Sequence, residues 1–285
     1  MSSTTTGRAR TVRFRDVAAR TPYWVFTTAL AVLFVFPLIW TGVSSVSPHP
    51  GTNQVNGWGF GNYVTLANYQ AGIGIYILNT AIVSGLTVLL TLVVSTLGGY
   101  AFARFRFVGR NALFLLTLAI LMVPYATVLI PLYVILTRVG LQNTLLGVAL
   151  VLTMFQLPFS TFMMRISFEA VPREMDEAAM VDGCTRWQTF YKVILPLTGP
   201  GLVATGVYCW ILAWNEFVVA NTLLLDNNKQ TLMVYLLQFQ ASSTHGADYA
   251  GLMAAATLTS LPVVILFVIF QRRITSGLTA GAVKG

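Results

Sequence analysis

Residues 75–103 read IYILNTAIVSGLTVLLTLVVSTLGGYAFA, a run without a charged side chain. A hydrocarbon core of roughly 30 Å is crossed by about 20 helical residues. Similar apolar runs lie at residues 23–43, 112–137, 145–164, 201–225 and 250–270. In lipid every backbone N–H and C=O must find a partner within the segment, and the ten-residue alternation of barrel strands is missing. The sequence therefore predicts an all-α polytopic membrane protein with six transmembrane helices.

The composition of the whole chain agrees with a membrane protein. Its 285 residues are 56% hydrophobic and 9% charged, with a mean hydropathy of +0.73. So few charges do not cover a water-soluble surface. The net charge of +8 comes from short clusters of Lys and Arg between apolar runs. This scattering follows membrane topology, so we expect no nucleic acid partner.

The basic residues also predict the orientation of the chain. All but Arg138 and Lys229 lie in the N-terminal segment, around residues 104–110, in residues 165–192 or in the C-terminal tail. Cytoplasmic loops are rich in Lys and Arg, so both termini are expected on the cytoplasmic side of the cell membrane. No A-x-A cleavage pattern follows the first apolar run, which predicts an uncleaved first span.

Several residues inside the spans predict local bends or close packing. Prolines bend a helix because they lack an N–H and clash with the preceding turn, and the prolines inside predicted spans include Pro37, Pro124, Pro131 and Pro158. The second span contains small residues suited to close helix packing: Gly85, Gly98 and Gly99. Asn79 and Thr80 in the same span are expected either to line a path or to form hydrogen bonds across helices.

The most polar stretch, EAAMVDG at 177–183, lies in the one long loop that is rich in basic residues, 165–200. Pro172 suits a first helical position, where its missing N–H would be unpaired anyway. Acidic residues that suit the helix dipole follow: Glu174, Asp176 and Glu177. Spacing of three and four residues predicts a narrow face of Met175, Ala178, Ala179 and Asp182. Gly183 is expected to leave the helix with positive φ.

A second short helix is predicted directly after this glycine. Thr185 and Gln188 have the spacing of a capping box. An aromatic stripe follows at helical spacing: Trp187, Phe190 and Tyr191. From these residues alone, the loop either lies on lipid headgroups or fits a cleft of another protein. The alanines favour the cleft, because they bury little area in lipid.

Three motifs in this order resemble the permease subunits of ATP-binding-cassette importers. EAA at 177–179, Gly183 and VILP at 193–196 are similar to the EAA loop of that family, E-A-A-x3-G-x9-I-x-L-P, with valine in place of isoleucine. AWNEF at 213–217 and GLTAGAVKG at 277–285 resemble the carbohydrate branch, in particular the second permease of maltose-type importers. The resemblance covers most of the chain.

The resemblance implies a type I importer permease fold with four parts. These are a cytoplasmic segment at 1–21, the first span with an extracellular segment at 22–72, a five-helix core at 73–271 that contains a cytoplasmic coupling loop at 165–200, and a cytoplasmic tail at 272–285. It also implies three protein partners in a lipid bilayer. They are a second homologous permease, a cytoplasmic ATPase dimer that binds ATP and Mg, and an extracellular solute-binding protein.

Residue roles are implied in the same way. The coupling loop docks in a cleft of the ATPase, where Glu177 pairs with the partner and Gly183 turns the chain. Ala178 and Ala179 permit the close approach. The other residues expected at this contact are Asp182, Leu195 and Pro196. In the tail, the residues expected at the ATPase interface are Gly277 and Lys284.

Catalytic and cofactor-binding patterns are missing from the sequence. No G-x-x-x-x-G-K-[ST] run cradles phosphate, so we expect no enzyme and no cofactor in this chain, which borrows its energy from a partner. His49 and His245 are too isolated for a metal cluster or a catalytic triad. Cys184 in a polar loop and Cys209 inside a span are not expected to form a disulfide.

Glu216 is the sole acidic or basic residue well inside a predicted span, where an unpaired charge is costly. One interpretation places Trp214, Asn215 and Glu216 on the translocation path, with the aromatic ring stacked on a sugar and polar groups bonded to its hydroxyls. The other makes Glu216 a fixed hydrogen-bond partner for a neighbouring helix.

The predicted function is that of a permease subunit forming half of the path for a carbohydrate, which is a di- or oligosaccharide or glycerol phosphate. An ion-coupled secondary transporter is the alternative, but it would carry several ionisable groups in its spans. A membrane-bound redox subunit would carry span histidines or cysteine clusters, whereas the predicted spans hold one Cys and no His.

Overall fold

The computed structural model of the chain describes residues 14–48, 57–242 and 249–282. Its α-helices are α1 Phe14–Ser45, α2 Gly61–Asn68, α3 Ile73–Arg104, α4 Arg110–Ala119, α5 Tyr125–Arg138, α6 Leu145–Glu169, α7 Glu174–Val181, α8 Arg186–Gln188, α9 Leu195–Leu197, α10 Gly199–Trp214, α11 Val218–Leu223, α12 Leu232–Ser242 and α13 Tyr249–Ala282. Short 3₁₀ helices lie at Ile120–Met122 and Asn227–Lys229, and a π-helical segment at Thr189–Ile194. The described ranges contain no strand, which confirms the all-α prediction.

Four helical segments are long and apolar enough to cross a bilayer, and six spans result if two bent helix pairs are each counted as one. The four continuous segments are Pro22–Ser45, Ile73–Arg104, Leu145–Glu169 and Tyr249–Gln271. The bent pairs are Arg110–Met122 with Thr127–Arg138, and Arg186–Leu197 with Gly199–Trp214. The polytopic architecture is as predicted, with four to six candidate spans.

The third predicted span, 112–137, is broken near its middle. Its two halves, Arg110–Met122 and Thr127–Arg138, meet at an angle of 101°. Val123 and Pro124 between them have extended backbones, with ψ of 124° and 119°. Proline has no N–H to donate and disfavours a helical conformation in the residue before it, so the helix stops here. The other predicted bend sites lie within helices that continue through them: Pro37, Pro131 and Pro158.

The fifth predicted span, 201–225, is also interrupted. Helix α10 ends at Trp214 and α11 begins at Val218. At the break, the side-chain amide of Asn215 donates to the carbonyl of Ile211 over 2.8 Å. A side chain that bonds the nearby backbone in this way competes with continuation of the helix. The AWNEF motif is therefore a helix end and not the middle of a span.

Helices α3 and α6 form the most extensive helix pair of the fold. Gly99 lies at a close approach of these two helices, since a Cβ at this position would be 2.7 Å from the Cβ of Met164 and 2.9 Å from the backbone nitrogen of Arg165. The predicted role of small residues in close packing is therefore confirmed at Gly99. Gly85 on the same helix differs, because a Cβ there would meet nothing within 4 Å.

Asn79 and Thr80 connect α3 to the segment that follows α11. The Asn79 amide donates to the carbonyls of Asn228 and Gln230, each over 2.9 Å. The Thr80 hydroxyl accepts from the N–H of Leu232 over 2.8 Å. Both side chains are buried. Of the two expectations for this pair, hydrogen bonding across elements is the one that the structure shows.

Replacing Gly99 by alanine is expected to destabilise the chain by about 1–3 kcal/mol, because the new methyl group must displace backbone atoms of α6. Thermal unfolding of the purified protein in detergent measures this effect. Gly85→Ala is the matched control, since it adds the same methyl group to the same helix in open space. An equal loss of stability in both variants would contradict close packing at Gly99.

Candidate functional site

Within the predicted coupling loop, 165–200, α6 continues to Glu169 and α10 begins at Gly199. Between these helices, α7 is followed by a second helical stretch, Arg186–Leu197, which meets α10 at an angle of 73°. Three acidic residues occupy the first turn of α7, as predicted: Glu174, Asp176 and Glu177. The loop thus consists of two short helices joined by a turn.

Gly183 makes that turn. Its φ is +85°, in the left-handed region that favours glycine. Its N–H donates to the carbonyl of Met180 over 3.1 Å, and the N–H of Cys184 donates to the carbonyl of Ala179 over 3.0 Å. These two bonds form the Schellman motif that ends a helix. The predicted positive φ of Gly183 is confirmed.

The predicted capping box starts the second helix. The N–H of Gln188 donates to the Thr185 hydroxyl over 3.3 Å, and the N–H of Thr185 donates to the Gln188 side-chain carbonyl over 2.8 Å. Two N–H groups that a helix start leaves unpaired are thereby satisfied. The turn between the two helices is consequently fixed on both sides by local hydrogen bonds.

A buried apolar cluster holds the loop against α3 and α6. Its members are Ala103, Met164, Phe168, Val171, Phe190 and Ile194. The ring centroid of Phe190 lies 4.6 Å from that of Tyr100 on α3. The predicted aromatic stripe therefore does not form one surface, because Phe190 points inward while Trp187 and Tyr191 are exposed. Leu195 packs against this cluster, and Pro196 is exposed.

An ion pair adds a polar link between α3 and the loop. The Nε of Arg104, at the end of α3, lies 3.2 Å from Oδ2 of Asp176 on α7, and the two side chains are only 7% and 16% exposed. An Nη2 hydrogen of the same arginine bonds the carbonyl of Val171 over 2.8 Å. Removing one partner of a buried pair leaves the other charge uncompensated. Arg104 thus links the end of α3 to α7.

The outward face of α7 carries Glu177 and Ala178, both exposed. Val181 on this face is 87% exposed, and Asp182 at the helix end is exposed as well. Ala179 departs from the prediction, because it is only 6% exposed and packs into the chain. Neighbouring residues of a helix point about 100° apart, so Ala178 and Ala179 do not share one contact surface.

Glu177 lies beside a cavity of about 190 Å³ between α3, α7 and the second loop helix. Arg173 and Arg186 line the same cavity. Among the described residues, Glu177 forms no ion pair, since the two pairs found there are Arg104–Asp176 and Arg165–Glu169. Its carboxylate is therefore an exposed charge available to a partner.

The carboxylate of Glu216 is used within the chain. Its Oε1 accepts from the Tyr125 hydroxyl over 2.7 Å and from the N–H of Val219 over 2.8 Å. Oε2 accepts from the N–H of Ala220 over 3.1 Å. This geometry corresponds to the structural interpretation, in which Glu216 bonds a neighbouring helix. The carboxylate also accepts hydrogen bonds from N–H groups in the first turn of α11. The sequence did not indicate this role, because it placed Glu216 in the middle of a continuous span.

Trp214 is buried in the chain, with 2% of its surface exposed. Its indole N–H donates to the carbonyl of Thr259 over 3.1 Å, and its ring stacks on Trp210 at a centroid distance of 5.8 Å. The ring thus packs against residues of α13 and α10 and is not placed to stack on a sugar. Asn215 is exposed, and a role on the translocation path stays a prediction for Asn215 and Glu216.

The histidines, the cysteines and the two predicted tail residues complete the set of residues considered in the sequence. His49, His245 and Lys284 lie outside the described residues, and Gly277 belongs to α13. Within the described ranges, no group of three His, Cys, Asp or Glu side chains is placed to hold a metal ion. Cys184 and Cys209 are free thiols.

Fold and site together define a polytopic helical membrane chain that presents two anchored loop helices between two spans. The chain belongs to the family of binding-protein-dependent transport system inner membrane components, which it matches over residues 95–279. This result confirms the family that the sequence motifs indicated. The chain is therefore a multi-pass membrane permease subunit and not a catalytic enzyme.

Individual relatives cover almost the whole chain. It is 36% identical to the diacetylchitobiose uptake system permease protein DasC of Streptomyces coelicolor, over 92% of this chain and 97% of that protein. It is 32% identical to the trehalose transport system permease protein SugB of Mycobacterium tuberculosis, over 94% and 99% of the two chains. Its fold resembles a chain of a bacterial ABC transporter involved in the import of alginate, with TM-score 0.74, 21% identity and coverage of 93% and 99%.

The Arg104–Asp176 pair generates a prediction on stability. Arg104→Met removes the cation and leaves a buried carboxylate, so we expect a loss of about 3 kcal/mol, measured by thermal unfolding in detergent. Glu169→Gln is the control, because it breaks the pair with Arg165 in which the glutamate is 45% exposed, and should cost less than about 1 kcal/mol.

The double variant Arg104→Asp with Asp176→Arg restores opposite charges at the two positions. It should recover part of the stability that Arg104→Met loses. Equal unfolding temperatures for Arg104→Met and Glu169→Gln would contradict the anchoring role of Arg104.

Proposed function

We propose that this chain is the permease subunit of an ATP-driven saccharide importer, and that its coupling loop receives the motion of a partner ATPase. The observation that carries the proposal is an anchored loop whose outward helix face is exposed. Glu177, Ala178 and Val181 lie on that face without a partner from the described chain. The small alanine leaves room for another backbone, and the exposed valine loses contact with water when a protein covers it.

The attachment of the loop suggests how motion reaches the membrane. A force on α7 acts on α3 through Arg104–Asp176 and on α6 through the buried cluster around Phe168 and Phe190. Packed interiors are poorly compressible, so the loop and the inner ends of both helices move as one body. Closure of the ATPase on ATP would rotate this body, and the cavity between the permeases would turn outward.

The proposal requires partners that this chain does not contain. A second, homologous permease would supply the other half of the path, and a cytoplasmic ATPase dimer would bind ATP and Mg. An extracellular binding protein would deliver the substrate. Both chain termini and the coupling loop would face the cytoplasm, in line with the basic residues near them. Gly277 and Lys284 would lie at the ATPase interface.

A di- or oligosaccharide is the substrate class that the relatives favour over glycerol phosphate. DasC is named for diacetylchitobiose and SugB for trehalose. An ion-coupled secondary transporter is disfavoured. The one acidic group inside the predicted spans, Glu216, already accepts hydrogen bonds from the Tyr125 hydroxyl and from backbone N–H groups of α11.

Reversing the charge of Glu177 tests the coupling contact. Glu177→Lys should weaken association with the ATPase by about thirtyfold or more, because truncating one partner of an interfacial charge pair costs about 2 kcal/mol or more. Co-purification of the ATPase and its binding-protein-stimulated hydrolysis in liposomes measure the effect. Glu177→Gln should lie between the parent protein and Glu177→Lys.

Glu169→Lys is the matched control, since it makes the same charge change at an exposed site outside α7. It should leave association close to that of the parent protein. If Glu177→Lys inserts normally and retains full ATPase association and transport, the proposed contact is wrong.

A further inference from the structure

A second polar feature lies beside the coupling loop and is not explained by coupling. It is a depression of about 500 Å³ at the turn between α3 and α4, which we call the basic depression. Its polar lining consists of Arg106, Arg110, Asn111 and Arg173, with Phe107 at its edge. Positive-inside topology explains why arginines occur here, but it does not require three of them to surround one depression.

Among the residues that the structure describes, no acidic side chain forms an ion pair with any of the three arginines. Within the described residues, both ion pairs use other arginines, Arg104 and Arg165. Arg110 donates to the carbonyl of Phe105 over 3.4 Å, and Arg173 donates to that of Ala103 over 3.5 Å. These bonds are long, and each guanidinium has five N–H donors. Most of the donors around the depression therefore remain for an anion.

Position relative to the spans indicates where such an anion comes from. The depression lies between the last residue of α3, Arg104, and the first residue of α4, Arg110, which places it at the membrane boundary. The intervening turn exposes Phe107 by 41% and Val108 completely. Exposed apolar side chains next to arginines suit the boundary between acyl chains and headgroups, and they are unfavourable in water.

We propose that the basic depression binds the phosphate headgroup of an anionic phospholipid from the cytoplasmic leaflet. Guanidinium groups bind phosphate oxygens in a bidentate manner. Three uncompensated positive charges favour a lipid with net negative charge over a zwitterionic one. Val108 and Phe107 lie beside the bound headgroup, in the acyl region. The lipid thereby rests against both the α3–α4 turn and Arg173, the residue that precedes α7.

This site does not depend on the proposed coupling to an ATPase. It requires only that the turn lies at the inner membrane surface. An acidic segment of the ATPase would satisfy the same arginines, but it would leave Val108 and Phe107 without an apolar environment. The lipid accounts for both the charge and the apolar tip of the turn.

Native mass spectrometry of the full-length chain in detergent tests the proposal. The chain is titrated with dioleoylphosphatidylglycerol and, separately, with dioleoylphosphatidylcholine. The parent protein should bind the anionic lipid more tightly. Each arginine near a membrane surface strengthens binding to anionic lipid about fivefold, so Arg106→Gln with Arg110→Gln should weaken phosphatidylglycerol binding about 25-fold.

Two control variants separate charge from folding. Arg106→Lys with Arg110→Lys keeps both charges and should retain most of the binding. Arg138→Gln removes one exposed arginine from α5, outside the depression, and should change nothing. Equal binding of the two lipids by the parent protein, or an unchanged affinity in the double glutamine variant, would overturn the proposal.

Two further arms distinguish other anions. Displacement of phosphatidylglycerol by inorganic phosphate at cellular concentration would identify a free-phosphate site and contradict the lipid. A double glutamine variant that binds phosphatidylglycerol like the parent protein, yet no longer co-purifies with the ATPase, would make the depression a protein contact. The proposal is supported if inorganic phosphate does not displace phosphatidylglycerol and if, among the variants, only Arg106→Gln with Arg110→Gln loses binding of this lipid.

Discussion

In hydrocarbon no water is available to a backbone N–H or C=O, so every interruption of a helix needs another hydrogen-bond partner. The break between α10 and α11 illustrates this constraint, because the carboxylate of Glu216 accepts hydrogen bonds from two N–H groups of α11 and from the Tyr125 hydroxyl. At the other break, Pro124 has no N–H to satisfy. The helices therefore remain long and stiff except at such supported points. Stiff helices are a condition for carrying motion from one membrane surface to the other.

The predicted coupling loop is joined to two of these helices at once. Arg104 links α7 to α3, and Phe190 packs against the C-terminal ends of α3 and α6. Gly99 brings those two helices into backbone contact. The outward face of α7 makes none of these contacts. One side of α7 thus packs against the rest of the chain. The opposite side exposes the Glu177 carboxylate, Ala178 and Val181.

Features that depend on neighbouring residues could be predicted from the sequence. Hydropathy located the apolar spans, and the left-handed Gly183 and the Thr185–Gln188 capping box followed from local spacing. Features that depend on tertiary contact could not. Arg104 and Asp176 are distant in sequence, so only the fold pairs them. The burial of Ala179 depends on the direction in which α7 rests against the chain, which periodicity alone left open.

The central claim is that a partner ATPase covers the outward face of α7. Val181, 87% exposed in this chain, reports on it directly when replaced by cysteine in a background of Cys184→Ser and Cys209→Ser. The measurement is the labelling rate of this cysteine by a membrane-impermeant maleimide in inside-out vesicles, before and after the ATPase is stripped off. Our account predicts labelling at least about tenfold slower with the ATPase bound. An equal rate in both preparations would contradict it.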